Sequence, residues 1–158
     1  EKPDYETFAK KVAILKDYFQ AHQNEDLEKM KSMVSDTLKW SPPHFNGNEF
    51  ESKEALMTQI KLYHDNFDNI TYEEGLGLDG QAGTANGHWA GSVFPEETAS
   101  IAPDAIRIYG TWRATHTESG KNIGVKYYAI GWINDAGKIA QFTEYFDVNG
   151  IAVQLAAE

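Results

Sequence analysis

Apolar side chains recur at spacings of three and four from Phe8 through Val12, Leu15 and Phe19, with Ala9 and Tyr18 beside the stripe. That period predicts an amphipathic helix, and Asp4 after Pro3 is placed to cap it. Leu27, Met30, Met33 and Val34 repeat the pattern between Glu25 and Val34, predicting a second, shorter helix beyond the polar Gln23-Asn24 corner. Thr37 to Trp40 reads as a short strand stopped by Ser41-Pro42-Pro43, since proline cannot donate to a ladder. After the Asn46-Gly47-Asn48 turn, Ser52 caps a third helix running to about Phe67. Its Leu56, Ile60, Tyr63 and Phe67 form one apolar face, with His64 at the edge.

Beyond Asn69 the period falls to two. Ile70 to Glu74 reads as a first strand, Gly75 to Gly87 as a long glycine-rich turn, His88 to Phe94 as a second strand and Pro95 to Pro103 as a polar connection. Ile106, Ile108, Gly110, Trp112, Ala114 and His116 then alternate with Arg107, Tyr109, Thr111, Arg113 and Thr115, which is strand patterning with one mainly apolar face. Turns at Glu118-Ser119-Gly120-Lys121 and Asn134-Asp135-Ala136-Gly137 separate two further strands, Val125 to Ile133 and Ile139 to Asp147. Helices in front and a meander behind predict one α+β domain over residues 1–158, with three N-terminal helices packed on the concave face of a strongly curved antiparallel sheet.

Composition narrows the partners. With 14 basic and 24 acidic side chains the net charge is -10, a surface that repels phosphate backbones and anionic lipid, so neither nucleic acid nor a membrane is expected. The absence of cysteine excludes disulfides and thiolate chemistry. The chain opens on Glu1, and an exported, periplasmic or secreted protein is slightly favoured over a cytoplasmic one. Aromatic residues make up 13% of the chain, a share that asks for either a ring-rich core or a ring-lined pocket.

Several motifs have bland readings. Gly75-Leu76-Gly77-Leu78-Asp79-Gly80 spells the dinucleotide fingerprint, but Gln81-Ala82-Gly83-Thr84 follows where a helix is required. Asn69-Ile70-Thr71 matches the glycosylation triplet. Asp147-Val148-Asn149-Gly150 lacks the further ligands of a calcium loop and reads as a turn. The five histidines lack metal-site spacing, so neither a metal nor an organic cofactor is expected.

The last strand carries more. Ala140, Phe142, Glu144 and Phe146 share one face, which sets a carboxylate among phenylalanines. If that face is buried, burial raises the carboxyl pKa and poises it as a general acid or base; otherwise Glu144 pairs with a cation or points to a rim. His116 shares a face with Trp112 and Ile108 and is either a pocket group or a satisfied histidine at the sheet's edge. Trp40, Tyr63, Trp112 and Tyr128 fit a ring-lined site or an ordinary core.

The run Asp17-Tyr18-Phe19-Gln20-Ala21-His22-Gln23-Asn24-Glu25-Asp26-Leu27 leading into Met33-Val34-Ser35-Asp36-Thr37-Leu38-Lys39-Trp40-Ser41-Pro42 resembles the nuclear transport factor 2-like superfamily. So do the closing Gly137-Lys138-Ile139, Glu144-Tyr145-Phe146-Asp147 and Gly150-Ile151-Ala152-Val153-Gln154-Leu155. That superfamily includes ketosteroid isomerases and SnoaL-like polyketide cyclases. The resemblance implies a cone-shaped, cystatin-like fold and a homodimer formed through the sheet. It maps the oxyanion-donating tyrosine of the isomerases onto Tyr18 and the last-strand acid or base of the cyclases onto Glu144. It also marks departures: Ser41 stands where isomerases carry their catalytic aspartate, the partner aspartate falls near Ala129, and the cyclase histidine falls near Ile130.

The expected site therefore has Glu144, Tyr18 and His116 as catalytic groups and Trp40, Ser41, Tyr63, Phe67, Trp112, Tyr128 and Phe142 against a small apolar or aromatic molecule. The expected activity is of lyase, isomerase or cyclase type. The alternative is a non-catalytic ligand-binding or dimerising domain.

Overall fold

The computed structural model describes residues 4–75, 87–90 and 105–158. Asp4 accepts a hydrogen bond from the Thr7 amide at 3.0 Å and so starts helix α1, Tyr5–Gln23. Asp26 does the same for Lys29 at the start of α2, Leu27–Met33. The chain then enters strand β1, Val34–Ser41, without a linker. Ser52 caps α3, Lys53–Asn66, which runs directly into β2, Phe67–Glu74. The remaining elements are β3 (His88–Ala90), β4 (Ile106–His116), β5 (Asn122–Ile133), β6 (Ile139–Tyr145) and a fourth helix, α4 (Val148–Ala156). The fingerprint residues 76–80, the rest of the glycine-rich turn to 86, strand residues 91–94 and the 95–103 connection lie outside the described residues. No helix among the described residues is long and apolar enough to cross a membrane.

The strands lie in the order β1-β6-β5-β4-β2, and β3 shares with β2 one edge of β4. Hairpins make β4, β5 and β6 antiparallel, but β1 runs parallel to β6, Val34 opposite Ile139 and Trp40 opposite Phe142. The sheet is therefore mixed, not wholly antiparallel: α3 carries the chain from β1 on one edge to β2 on the other, and the meander returns to β1 in its own direction.

Bulges curve the sheet. One falls between Asp68 and Thr71, where Asn69 takes a φ of 53°, and another between Trp132 and Ile133. Tyr72 crosses over Gly110 to donate its hydroxyl to the Tyr109 carbonyl at 2.8 Å, and a Cβ on Gly110 would meet the Tyr72 ring at 2.4 Å. Only glycine permits that crossing.

The main core fills the concave side. Leu15, Phe19, Met30 and Leu56 of the helices meet Ile106, Ile108, Ala129, Ile139 and Phe142 of the strands. Burying each large apolar side chain contributes about 1.5–3 kcal/mol. The sheet's other face carries a ring ladder across three strands, Tyr109 to Tyr128 at 5.1 Å and Tyr128 to Tyr145 at 5.8 Å, with Trp89 stacked on Tyr109 at 5.9 Å.

Helix α4 corrects the expectation of a turn after the last strand. Asp147 is its cap, accepting from the Gly150 amide at 2.8 Å, and β6 consequently ends at Tyr145. Gln154 clamps α4 to β5 through the Gly124 amide and carbonyl, both at 2.9 Å. Lys121 donates to the Leu155 carbonyl at 2.8 Å and also to that of Ala157, satisfying orphan carbonyls at the helix end.

Candidate functional site

A cavity of about 130 Å³ lies between the concave sheet and helices α1, α3 and α4. Its inner end is lined by buried Tyr18, Phe19, Met30, Trp40 and Leu56. His44 and Val148, both exposed, line the other end, so the cavity opens there.

Alternation along β6 turns Phe142, Glu144 and Phe146 inward. Glu144 sits deep in the protein, yet it keeps part of its surface open to the cavity. Its two carboxylate oxygens are held separately: Trp40 Nε1 donates to Oε2 at 2.9 Å and the Tyr127 hydroxyl to Oε1 at 2.7 Å. Ala129, directly across on β5, adds no bulk beside it. Burial pushes the carboxyl above its ordinary value; the two hydrogen bonds act in the opposite sense, and no cation among the described residues offsets the burial. The result is a fixed carboxyl group whose charged form is costly and whose remaining lone pairs face an apolar space.

Tyr18 is buried in the same wall, and its hydroxyl has no hydrogen-bond partner among the described residues. Burial, reinforced by the Glu144 charge, drives its pKa well above the ordinary phenol value, so it is a neutral donor at every working pH. Tyr127 is raised in the same way. Tyr63 is raised by burial and by Glu144, against a hydrogen bond with Gln59.

A second polar group lines the cavity. His22, in the last turn of α1, places Nδ1 at 2.8 Å from Nε2 of His64, in the last turn of α3. Burial, then the neighbouring His64, lowers the His22 pKa from 6.5 to about 3. His64 is also lowered, first by burial, with Asp65 raising it and Lys61 lowering it. Both rings are neutral at pH 7, so one N–H is shared between them. Among the described residues no three His, Asp or Glu side chains are grouped to hold a metal ion.

Of the residues singled out in the sequence, Glu144, Tyr18, Trp40, Tyr63, Phe67 and Trp112 all line the cavity. Four do not. His116 ends β4 outside it, with Nδ1 2.8 Å from the Ser119 hydroxyl and its ring against Phe67, because the turn to β5 folds back there. Tyr128 belongs to the outer ladder, since the inward face of β5 is Tyr127, Ala129, Gly131 and Ile133. Ser41 follows inward-facing Trp40 and so falls on the opposite side of β1. Phe142 is fully buried core, in edge contact with Tyr18 at 6.3 Å.

The groups missed were Tyr127, His22, His64 and the α4 residues Val148 and Ile151. His22 follows Phe19 by three, continuing the stripe of α1, and was readable on that ground. Val148, Ile151 and Leu155 likewise stand at spacings of three and four behind a capping aspartate. Tyr127 was harder to read: Lys126 marks the opposite face of β5 as the outer one, but Tyr128, Ile130 and Trp132 make that face nearly as apolar.

No protein-family model and no curated protein sequence matches the chain. Solved structures do. A nuclear transport factor 2-like protein from Burkholderia thailandensis superposes with a TM-score of 0.59 at 16% identity, covering 93% of this chain and 98% of its own. The fold is nuclear transport factor 2-like. The same nuclear transport factor 2-like cone is shared with an epoxide hydrolase/cyclase-like enzyme, SalBIII, of pyran ring formation in the polyether salinomycin (TM-score 0.65, 13% identity, 90% of this chain and 94% of that one). It is shared also with an epoxide hydrolase of M. tuberculosis (0.60, 15%, 93% and 90%). At these identities the likeness establishes the fold; one such fold hosts many chemistries.

Proposed function

We propose that this protein is a small-molecule enzyme of lyase, isomerase or cyclase type, in which Glu144 moves a proton on a mainly apolar ligand held in the cone. The observation that carries the reading is the Glu144 carboxyl, buried without a cation, pinned by Trp40 and Tyr127 and open to the cavity. Charge formation there is costly and geometry is preset, which is how a carboxyl is tuned for general acid–base work. In its ionised form Glu144 takes a proton from carbon or hydroxyl; the unpartnered Tyr18 hydroxyl donates to the oxygen on which negative charge develops. The likeness of fold to enzymes described as an epoxide hydrolase/cyclase and an epoxide hydrolase supports this class.

Ligand size follows from the volume. A dry cavity of roughly 150 Å³ accepts benzene, so 130 Å³ holds one ring, with larger substituents emerging past His44 and Val148. The lining favours a neutral ligand, since it is mainly apolar, Glu144 repels an anion, and Arg113, which also lines the cavity, is paired with Glu73.

Benzisoxazole is the probe. Loss of its ring C–H proton to a base breaks the N–O bond and yields 2-cyanophenol, read by absorbance. Saturable turnover is expected, rising with pH through a midpoint above 4.5. Glu144→Gln should lower it by about 100-fold or more with an unchanged melting temperature. Retained turnover in that variant, or no saturable turnover in the parent, overturns the reading.

The outer ladder supports a second copy of the chain as a partner. Trp89, Tyr109 and Tyr145 are exposed there in one cross-strand stripe, an apolar patch of the kind that marks association surfaces.

A further inference from the structure

The cavity holds a second protonic group that the Glu144 reading leaves unused. The His22 ring lines the cavity, and its Nε2 has no partner among the described residues yet is not sealed off. Its Nδ1 faces His64 Nε2 at 2.8 Å, and half-buried His64 keeps Nδ1 free of any partner among the described residues. Two neutral imidazoles in line therefore run from the cavity to the surface, across the ends of α1 and α3. On the wall beside them Trp112 of β4 packs its ring on His22 at 4.9 Å, and the next residue, Arg113, which also lines the cavity, pairs with Glu73 at 2.9 Å. The charged groups acting on the pair are Asp65 and Lys61, both on α3 beside His64, while Glu144 stands in the same cavity on β6.

We infer that His22 and His64 form a proton relay connecting the cavity with solvent. This deepens the acid–base reading of the cavity and rests on it for its purpose. A proton taken from the ligand at His22 Nε2 is matched by transfer of the Nδ1 proton to His64 Nε2, and His64 gives up its own Nδ1 proton to water. No charge accumulates, and each ring ends as its other tautomer. The reverse sequence delivers a proton inward. A relay of this kind lets a reaction gain or lose a proton relative to solvent, whereas Glu144 alone returns what it takes, so the substrate class becomes one whose ring closure or elimination changes its proton count.

The relay makes a prediction that structural packing does not. Below the His64 midpoint both His64 nitrogens carry protons, so its Nε2–H must donate and His22 is locked as the Nε2–H tautomer; above it, the pair interconverts. Long-range ¹H–¹⁵N spectra of the full chain with ¹⁵N-labelled histidine read this directly. The His22 ring shifts should move with the His64 titration while His22 itself stays neutral. Exchange of the His22 ring proton with water should slow by about tenfold or more in His64→Asn, whose amide donates to Nδ1 but passes nothing on. A His22 tautomer indifferent to the His64 titration overturns the relay, as does unchanged exchange in the variant; if His64→Asn does not fold, the parent's titration decides alone. Neither measurement uses a ligand or Glu144. A relay without benzisoxazole turnover would remove the catalytic reading only, and turnover without coupled tautomers would remove the relay only.

Discussion

The lowered pKa of His22 makes the folded state vulnerable to acid by an amount that can be worked out. In the unfolded chain His22 titrates at its ordinary 6.5, and in the folded protein at about 3. Between these values the unfolded state binds a proton that the folded state refuses, so stability falls as pH falls. The loss is about 1.4 kcal/mol for each pH unit below 6.5, which gives about 2 kcal/mol at pH 5 and about 3 kcal/mol at pH 4. Replacing His22 by Gln removes that contribution. The lost contact with His64 shifts the variant's stability at all pH values, so the slope is the diagnostic quantity. Urea unfolding of parent and variant at pH 7 and pH 5 provides the measurement. With a slope of roughly 1–3 kcal/mol per molar urea, a 2 kcal/mol difference displaces the midpoint by about 1 M. His64 and His88 are lowered too, and raised Glu144 acts with the opposite sign, but these contribute to both proteins. Parallel pH dependences in the two proteins would refute the argument that His22 is buried neutral.

Two further outcomes test the fold and its outer face. Gly110→Ala should destabilise by about 1–3 kcal/mol, read as a lower melting temperature, because the new methyl meets the Tyr72 ring and the Glu73 carbonyl; an unchanged melting temperature would mean that Tyr72 does not cross there. Light scattering at micromolar concentration should report a dimer that Tyr109→Lys with Tyr145→Lys converts to monomer, and a parent that is already monomeric would dismiss the second copy as partner.

Strand β4 was readable to its last residue because its period of two runs unbroken for 11 positions between turn signals. The caps Asp4 and Ser52 were readable for a similar reason, since a short polar side chain before an apolar period has a local task that requires no tertiary knowledge. Glu144 stood out because alternation alone puts it between Phe142 and Phe146. Local rules failed where both alternatives were locally acceptable. On β5 Tyr127 and Tyr128 compete for the inward face, because Ile130 and Trp132 on the face of Tyr128 offset the Lys126 that marks it as outer, and helix α4 hides behind a glycine at its third position.

The sequence by itself determined the types of the elements ahead of α4, the acidic shell, the aromatic supply and one carboxylate among phenylalanines, because periodicity and composition are properties of neighbours along the chain. Only the tertiary structure decided which atoms meet: Trp40 and Glu144 are 104 positions apart and His22 and His64 are 42 apart. Those encounters depend on the parallel docking of β1 on β6 and on two helices ending at one place. No local spacing encodes either, since both arise from how a curved sheet closes over its helices.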